Sequence, residues 1–121
     1  MTVAAPKLAP PTATAALSDR DTAVLDALAS AGADLTQPRH VLYFLYFENG
    51  DDAAAAAADA KHAGFFAEVS EPLPEYPDQW SLICEKHGLV LTAETVRSNA
   101  ELFEALASTH QGEFDGWEAS A

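Results

Sequence analysis

The side chains in this sequence that could hold a metal or move a proton near neutral pH are His40, His62, His87 and His110, and the single thiol is Cys84. A zinc-type site is marked in sequence by a short fixed spacing that sets two donors on one face of a helix or turn. The four histidines stand singly, with no HxxxH pair and no carboxylate at a ligand spacing, so neither a metal nor another cofactor is expected. His40, beside Arg39 at the start of an apolar run, reads as a hydrogen-bonded structural histidine. Cys84 has no partner for a disulfide or a CxxC motif, which fits a reducing compartment. Its apolar surroundings make it a small hydrophobe, since a nucleophilic thiol needs an activating base beside it. No glycine-rich phosphate loop, nucleophile elbow or Walker pattern occurs. Carboxylate pairs such as Asp51-Asp52 are accounted for by helix capping and a solvated acidic surface. The chain is therefore not expected to be an enzyme.

Charge narrows the partners. Six Lys and Arg stand against nineteen Asp and Glu, a formal charge of -13. Such a surface repels phosphate backbones and anionic headgroups and favours cationic proteins, so direct nucleic-acid and membrane binding are not expected. No signal-peptide pattern opens the sequence and no apolar run is long enough to span a bilayer, which reads as a soluble, cytoplasmic protein. At 121 residues, 49% of them hydrophobic, one core is expected.

The elements that must position these residues follow from spacing and punctuation. Residues 1–17 scatter Pro6, Pro10 and Pro11 among Ala and Thr and read as a disordered leader, with one domain over 18–121. Ser18 with Asp21 three residues on is an N-cap, Val24, Leu25 and Leu28 follow at helical spacing, and Gly32 stops a helix from about Asp19 to Ala31. Arg39 to Phe47, RHVLYFLYF, is apolar on both alternating faces and reads as a central strand bounded by Pro38 and Asn49-Gly50. DDAAAAAADAKHAG has carboxylates at its start, six alanines, then Lys61, His62 and Gly64, all helix signals. Phe65 to Ser70 and Trp80 to His87 read as strands, separated by the proline-studded loop EPLPEYPDQ. A helix from Thr92 to His110 carries a stripe of Val96, Leu102, Phe103 and Leu106 and is ended by Gly112. The closing EFDGWEA is a last strand.

After the first helix the order is βαββαβ, the ferredoxin-like α+β arrangement: a four-stranded antiparallel sheet with two helices on one face, here with an additional N-terminal helix. In it the last strand pairs with the first, and Phe114 enters the core. Trp117 lies three residues further on, which strict alternation sends to the opposite face. Either Asp115-Gly116 is a bulge that realigns the strand, or Trp117 lies on the face without helices. Phe44 and Tyr46 take the place where an RRM stacks RNA bases, with Arg39 and Lys86 near that face, but the acidic balance opposes phosphate binding. These aromatics pack either under the N-terminal helix or against a protein partner. A small-ligand regulatory domain of the ACT kind shares the same element order, and a free sheet face or edge strand would also suit a homodimer.

GADLTQPRHVLYFLYF, the alanine-rich helix ending in AGF, WSLICEKH and GEFDGWEA together resemble the ribonuclease E inhibitor B family, also called regulator of ribonuclease activity B. The likeness runs from about Ser18 to Ala119, and the PRHV and FDGWE strings are its most specific parts. The resemblance implies a ferredoxin-like, non-catalytic, acidic cytoplasmic protein. It would bind the ribonuclease E type endoribonuclease at the core of the RNA degradosome, whose noncatalytic part is rich in Arg, and lower its activity. The expected protein-binding residues, taken from exposed-face aromatics and flanking acids, are Phe44, Tyr46, Asp115, Trp117 and Glu118.

Overall fold

The computed structural model describes residues 17–120, and the expected leader lies, but for Leu17, outside the described residues. Helix α1 (Asp19–Ser30) starts where Ser18 Oγ accepts the Asp21 amide at 3.0 Å. It closes at Gly32, φ +90°, where the Ala33 amide donates back to the Leu28 carbonyl. That left-handed position is one glycine adopts without a Cβ penalty. Strand β1 (Arg39–Phe47) has the expected bounds. Helix α2 (Gly50–His62) is capped by Asn49, whose Oδ1 accepts the Asp52 amide at 2.8 Å, and buries Ala53, Ala56, Ala57 and Ala60. Small side chains at this spacing let the helix sit close on the sheet. Strands β2 (Phe66–Ser70) and β3 (Trp80–Leu89) follow, the first starting one residue later and the second running two residues longer than expected. Helix α3 (Ala93–Thr109), capped by Thr92, and strand β4 (Glu113–Ala119) complete the chain.

The sheet is antiparallel throughout, in the order β2-β3-β1-β4. Its inward residues on β1 are Val41, Tyr43, Leu45 and Phe47, packed with Leu82, Cys84 and the apolar sides of α2 and α3. An aromatic group lies at the centre: Tyr43 stacks on Phe103 at 4.5 Å, and Phe65 meets both edge-on. Asn99 Nδ2 donates to the Tyr43 hydroxyl at 3.0 Å, and burial pushes that phenol up to about 12. Among the described residues no helix is long and apolar enough to cross a membrane.

Two local features differ from simple alternation. Phe44 pairs with Gly116 but Leu45 pairs with Phe114, so Asp115 is the extra residue of a β-bulge, with Gly116 at φ +122°. The bulge turns Trp117 onto the same face as Phe114, opposite Tyr43, which decides between the two alternatives for this residue. The second concerns the end of α3. There the left-handed residue is Gln111, φ 61°, not Gly112, and Gly112 donates to the Ala107 carbonyl at 2.7 Å. Gly112 is required instead by space, because a Cβ there would stand 2.3 Å from Phe47 Cδ2 and 2.6 Å from the Tyr46 carbonyl oxygen. Gly112→Ala is therefore expected to destabilise the domain by about 1–3 kcal/mol, as overpacking does. Urea unfolding would measure it, and a loss within about 0.5 kcal/mol would disprove the close contact.

Candidate functional site

The sheet face opposite the helices is left uncovered by the described elements. Along β1 it presents Leu42, Phe44 and Tyr46, all half-buried. Cross-strand register sets Glu85, Ile83 and Ser81 of β3 beside them on one side, and Glu118, Gly116 and Glu113 of β4 on the other. The rim is acidic and the centre apolar, the anatomy of a protein-docking surface.

The five sequence-selected residues do not form one patch. Phe44 and Tyr46 lie on this face, and exposed Glu118 flanks Leu42. Asp115 is exposed in the bulge, with Arg20 at 3.9 Å, a solvated pair worth about 0–1 kcal/mol. Trp117 is on the other face, only 8% exposed, and its indole Nε1 donates to Asp21 Oδ1 of α1 at 2.8 Å. The N-terminal helix thus covers Trp117 and leaves Phe44 and Tyr46 open. Asp21 contributes its amide to the Ser18 cap but its carboxylate to the tryptophan.

Tyr46 also borders a groove of about 640 Å³ where three segments meet: the end of β1, the proline-studded loop and the turn from α3 to β4. Its lining includes the carboxylates of Glu48, Glu75, Asp78 and Glu113 and the ring of Tyr76, with no Lys or Arg among the lining residues. Turns from Tyr76 to Leu73 and from Gln79 to Tyr76 hold the loop in shape. Carboxylates at the rim and phenol rings in the walls are the partners a guanidinium takes, by paired hydrogen bonds and by stacking. Over residues 18–119, from the cap of α1 to the last residue of β4, the chain matches the family model described as Regulator of ribonuclease activity B. The chain belongs to the regulator of ribonuclease activity B family. A search of the curated proteins finds no match.

That family is one of regulators of ribonuclease activity, not of catalysts. In this member the two basic residues expected near the open face are turned from it. Arg39 donates through one guanidinium nitrogen to the Ser120 carbonyl at 2.6 Å and through the other to the Asp34 carbonyl, so it ties the end of β4 and the segment between α1 and β1 to the start of β1. Lys86 lies over the Phe65 ring on the helix side, 4.7 Å from its centroid. Neither stands where it would clamp a phosphate. Cys84 is buried, and burial pushes its thiol up to about 12, which keeps it protonated and unreactive.

Sequence reasoning missed Glu48, Glu75, Tyr76, Asp78 and Glu113. The signal available was the mixture of acids and a tyrosine in EPLPEYPDQ, but nothing in the sequence says that this loop folds beside Tyr46. It also treated the histidines as isolated, whereas His40 and His87 both converge on Glu85 and His110 Nε2 lies 2.7 Å from Asp59 Oδ2.

Proposed function

We propose that this chain inhibits a ribonuclease E type endoribonuclease by binding an arginine-rich stretch of its noncatalytic part, and so alters RNA turnover without catalysing a reaction itself. The observation that carries the reading is the groove beside Tyr46, where four carboxylates and two tyrosines meet with no basic side chain in the lining. Phe44, Tyr46 and Glu118 extend the contact across the open face, the exposed Asp115 adds a carboxylate at the β4 edge beside Arg20, and Trp117 serves by holding β4 in its bulged register. The overall charge of -13 supplies long-range attraction to a cationic partner and fast, salt-sensitive association. We further infer a ferredoxin-like fold, supported by the order β4-β1-β3-β2 with α2 and α3 packed on one side, for a single domain over 18–121 that works in the cytoplasm.

Titrating the full chain into the purified ribonuclease, with complex formation and RNA cleavage followed together, tests the reading. Cleavage should fall as the complex forms, and affinity should drop steeply as salt rises from about 50 to 300 mM. Binding that ignores salt would exclude the electrostatic groove, and binding with undiminished cleavage would exclude inhibition.

A further inference from the structure

At the other end of the open face, His40 of β1 meets Glu85 and His87 of β3. Leu42 pairs with Glu85, which puts His40 diagonally across from it, and His87 follows Glu85 by two residues on the same strand. Between the pairs Val41–Lys86 and Arg39–Leu89 the register slips, and Gly88 there has φ +72°. Beside this irregularity the His87 ring stacks on His40, centroids 4.3 Å apart and planes within 16°. Glu85 Oε2 accepts from His40 Nε2 at 2.6 Å and lies 3.3 Å from His87 Nε2. One donor atom from each of the three lies within 4.8 Å of the others.

We propose that His40, Glu85 and His87 bind one divalent transition-metal cation of the Zn²⁺ class. Two imidazoles and a carboxylate are a donor set that suits zinc and its neighbours and not Mg²⁺ or Ca²⁺, which take oxygen ligands. Bonds near 2.0–2.1 Å in a tetrahedral shell put donor atoms about 3.3 Å apart. The His87–Glu85 pair already has that spacing; His40 has to withdraw by about 0.7 Å from its 2.6 Å contact as the metal replaces the proton between them, and one imidazole has to rotate out of the stack so that both ring planes meet at the ion. The three side chains are 37%, 38% and 64% exposed for His40, Glu85 and His87, so an ion reaches them without opening the fold. Two nearby cations are engaged elsewhere: Lys86 is turned to the helix side over Phe65, and the Arg39 guanidinium is held by backbone carbonyls. The remaining coordination positions face solvent, open to water or to a ligand side chain from a partner. Tyr46 lies six residues after His40 along β1, about 20 Å away, so this site stands independently of the groove.

Calorimetric titration of the full chain with zinc chloride tests it. One Zn²⁺ per chain with a micromolar dissociation constant is expected, weakened by about tenfold or more in each of His40→Ala, Glu85→Gln and His87→Ala. His62→Ala and His110→Ala, outside the cluster, should bind as the parent does. On the unaltered protein, Zn²⁺ should shift the imidazole nitrogen resonances of His40 and His87 and leave those of His62 and His110 in place, a readout independent of how any variant folds. No stoichiometric binding, binding that survives the His40→Ala, His87→Ala double substitution, or shifts confined to other histidines would overturn the assignment.

Discussion

Trp117→Ala is expected to destabilise the domain by about 3–5 kcal/mol, the range for deleting a buried tryptophan side chain. Two losses combine. The indole sits on the helix side of β4 opposite Tyr43, so its removal leaves a cavity between sheet and α1. It also removes the donor to Asp21, a residue only 7% exposed, whose carboxylate then stands desolvated without that partner, which accounts for about 1–3 kcal/mol of the total. Against a total stability of about 5–15 kcal/mol for a domain of this size, the variant should be partly unfolded at 37 °C. Trp117→Phe separates the two losses, since it keeps most of the packing and forfeits the N–H; about 1.5–3 kcal/mol is expected for it. A double-mutant cycle with Asp21→Ala, read by urea unfolding, isolates the pair. A Trp117→Ala variant within about 1 kcal/mol of the parent would mean that α1 does not seal this edge of the core.

Neutralising the groove should have the largest effect on function. The combination Glu48→Gln, Glu75→Gln, Asp78→Asn and Glu113→Gln removes four charges from side chains that surround one concavity. At about 0.5–1 kcal/mol for each solvated carboxylate–guanidinium contact, affinity for the ribonuclease should fall by about 2–4 kcal/mol, roughly thirtyfold to a thousandfold. Stability should hardly change, and relief of like-charge repulsion would favour the variant slightly. The comparison that isolates position from net charge is Asp19→Asn, Asp26→Asn, Glu94→Gln and Glu101→Gln, four exposed acids on α1 and α3. Those substitutions should slow association without abolishing the complex. Equal losses from both sets would make the attraction one of overall charge, with no groove involved.

What could be read in advance divides along physical lines. Caps and periodicity are local, so Ser18, Asn49-Gly50, the alanine run and RHVLYFLYF placed their elements within a residue or two. The bulge at Asp115 was legible only as an alternative, because its cost is repaid by Trp117 reaching Asp21, 96 residues away in sequence. The end of α3 misled for a related reason: glycine is the usual left-handed cap, yet here Gln111 takes that conformation and Gly112 is needed by the Phe47 ring. The candidate site was the least legible part. Phe44 and Tyr46 follow from strand alternation, but the groove joins three segments, and the His40, Glu85 and His87 cluster depends on cross-strand register. The i, i+2 spacing of Glu85 and His87 was its one visible trace.

On the proposed function, a basic stretch of the ribonuclease docks in the groove beside Tyr46. Amide resonances of the isotope-labelled chain, followed as an arginine-rich peptide from the noncatalytic part of the ribonuclease is added, test it most directly. Shifts are expected to concentrate at Tyr46–Glu48, at Glu75, Tyr76, Asp78 and Gln79, and at Gln111–Glu113, and to spread to Phe44 and Glu118. Shifts confined to the outer faces of α2 and α3, with the groove residues unmoved, would contradict it.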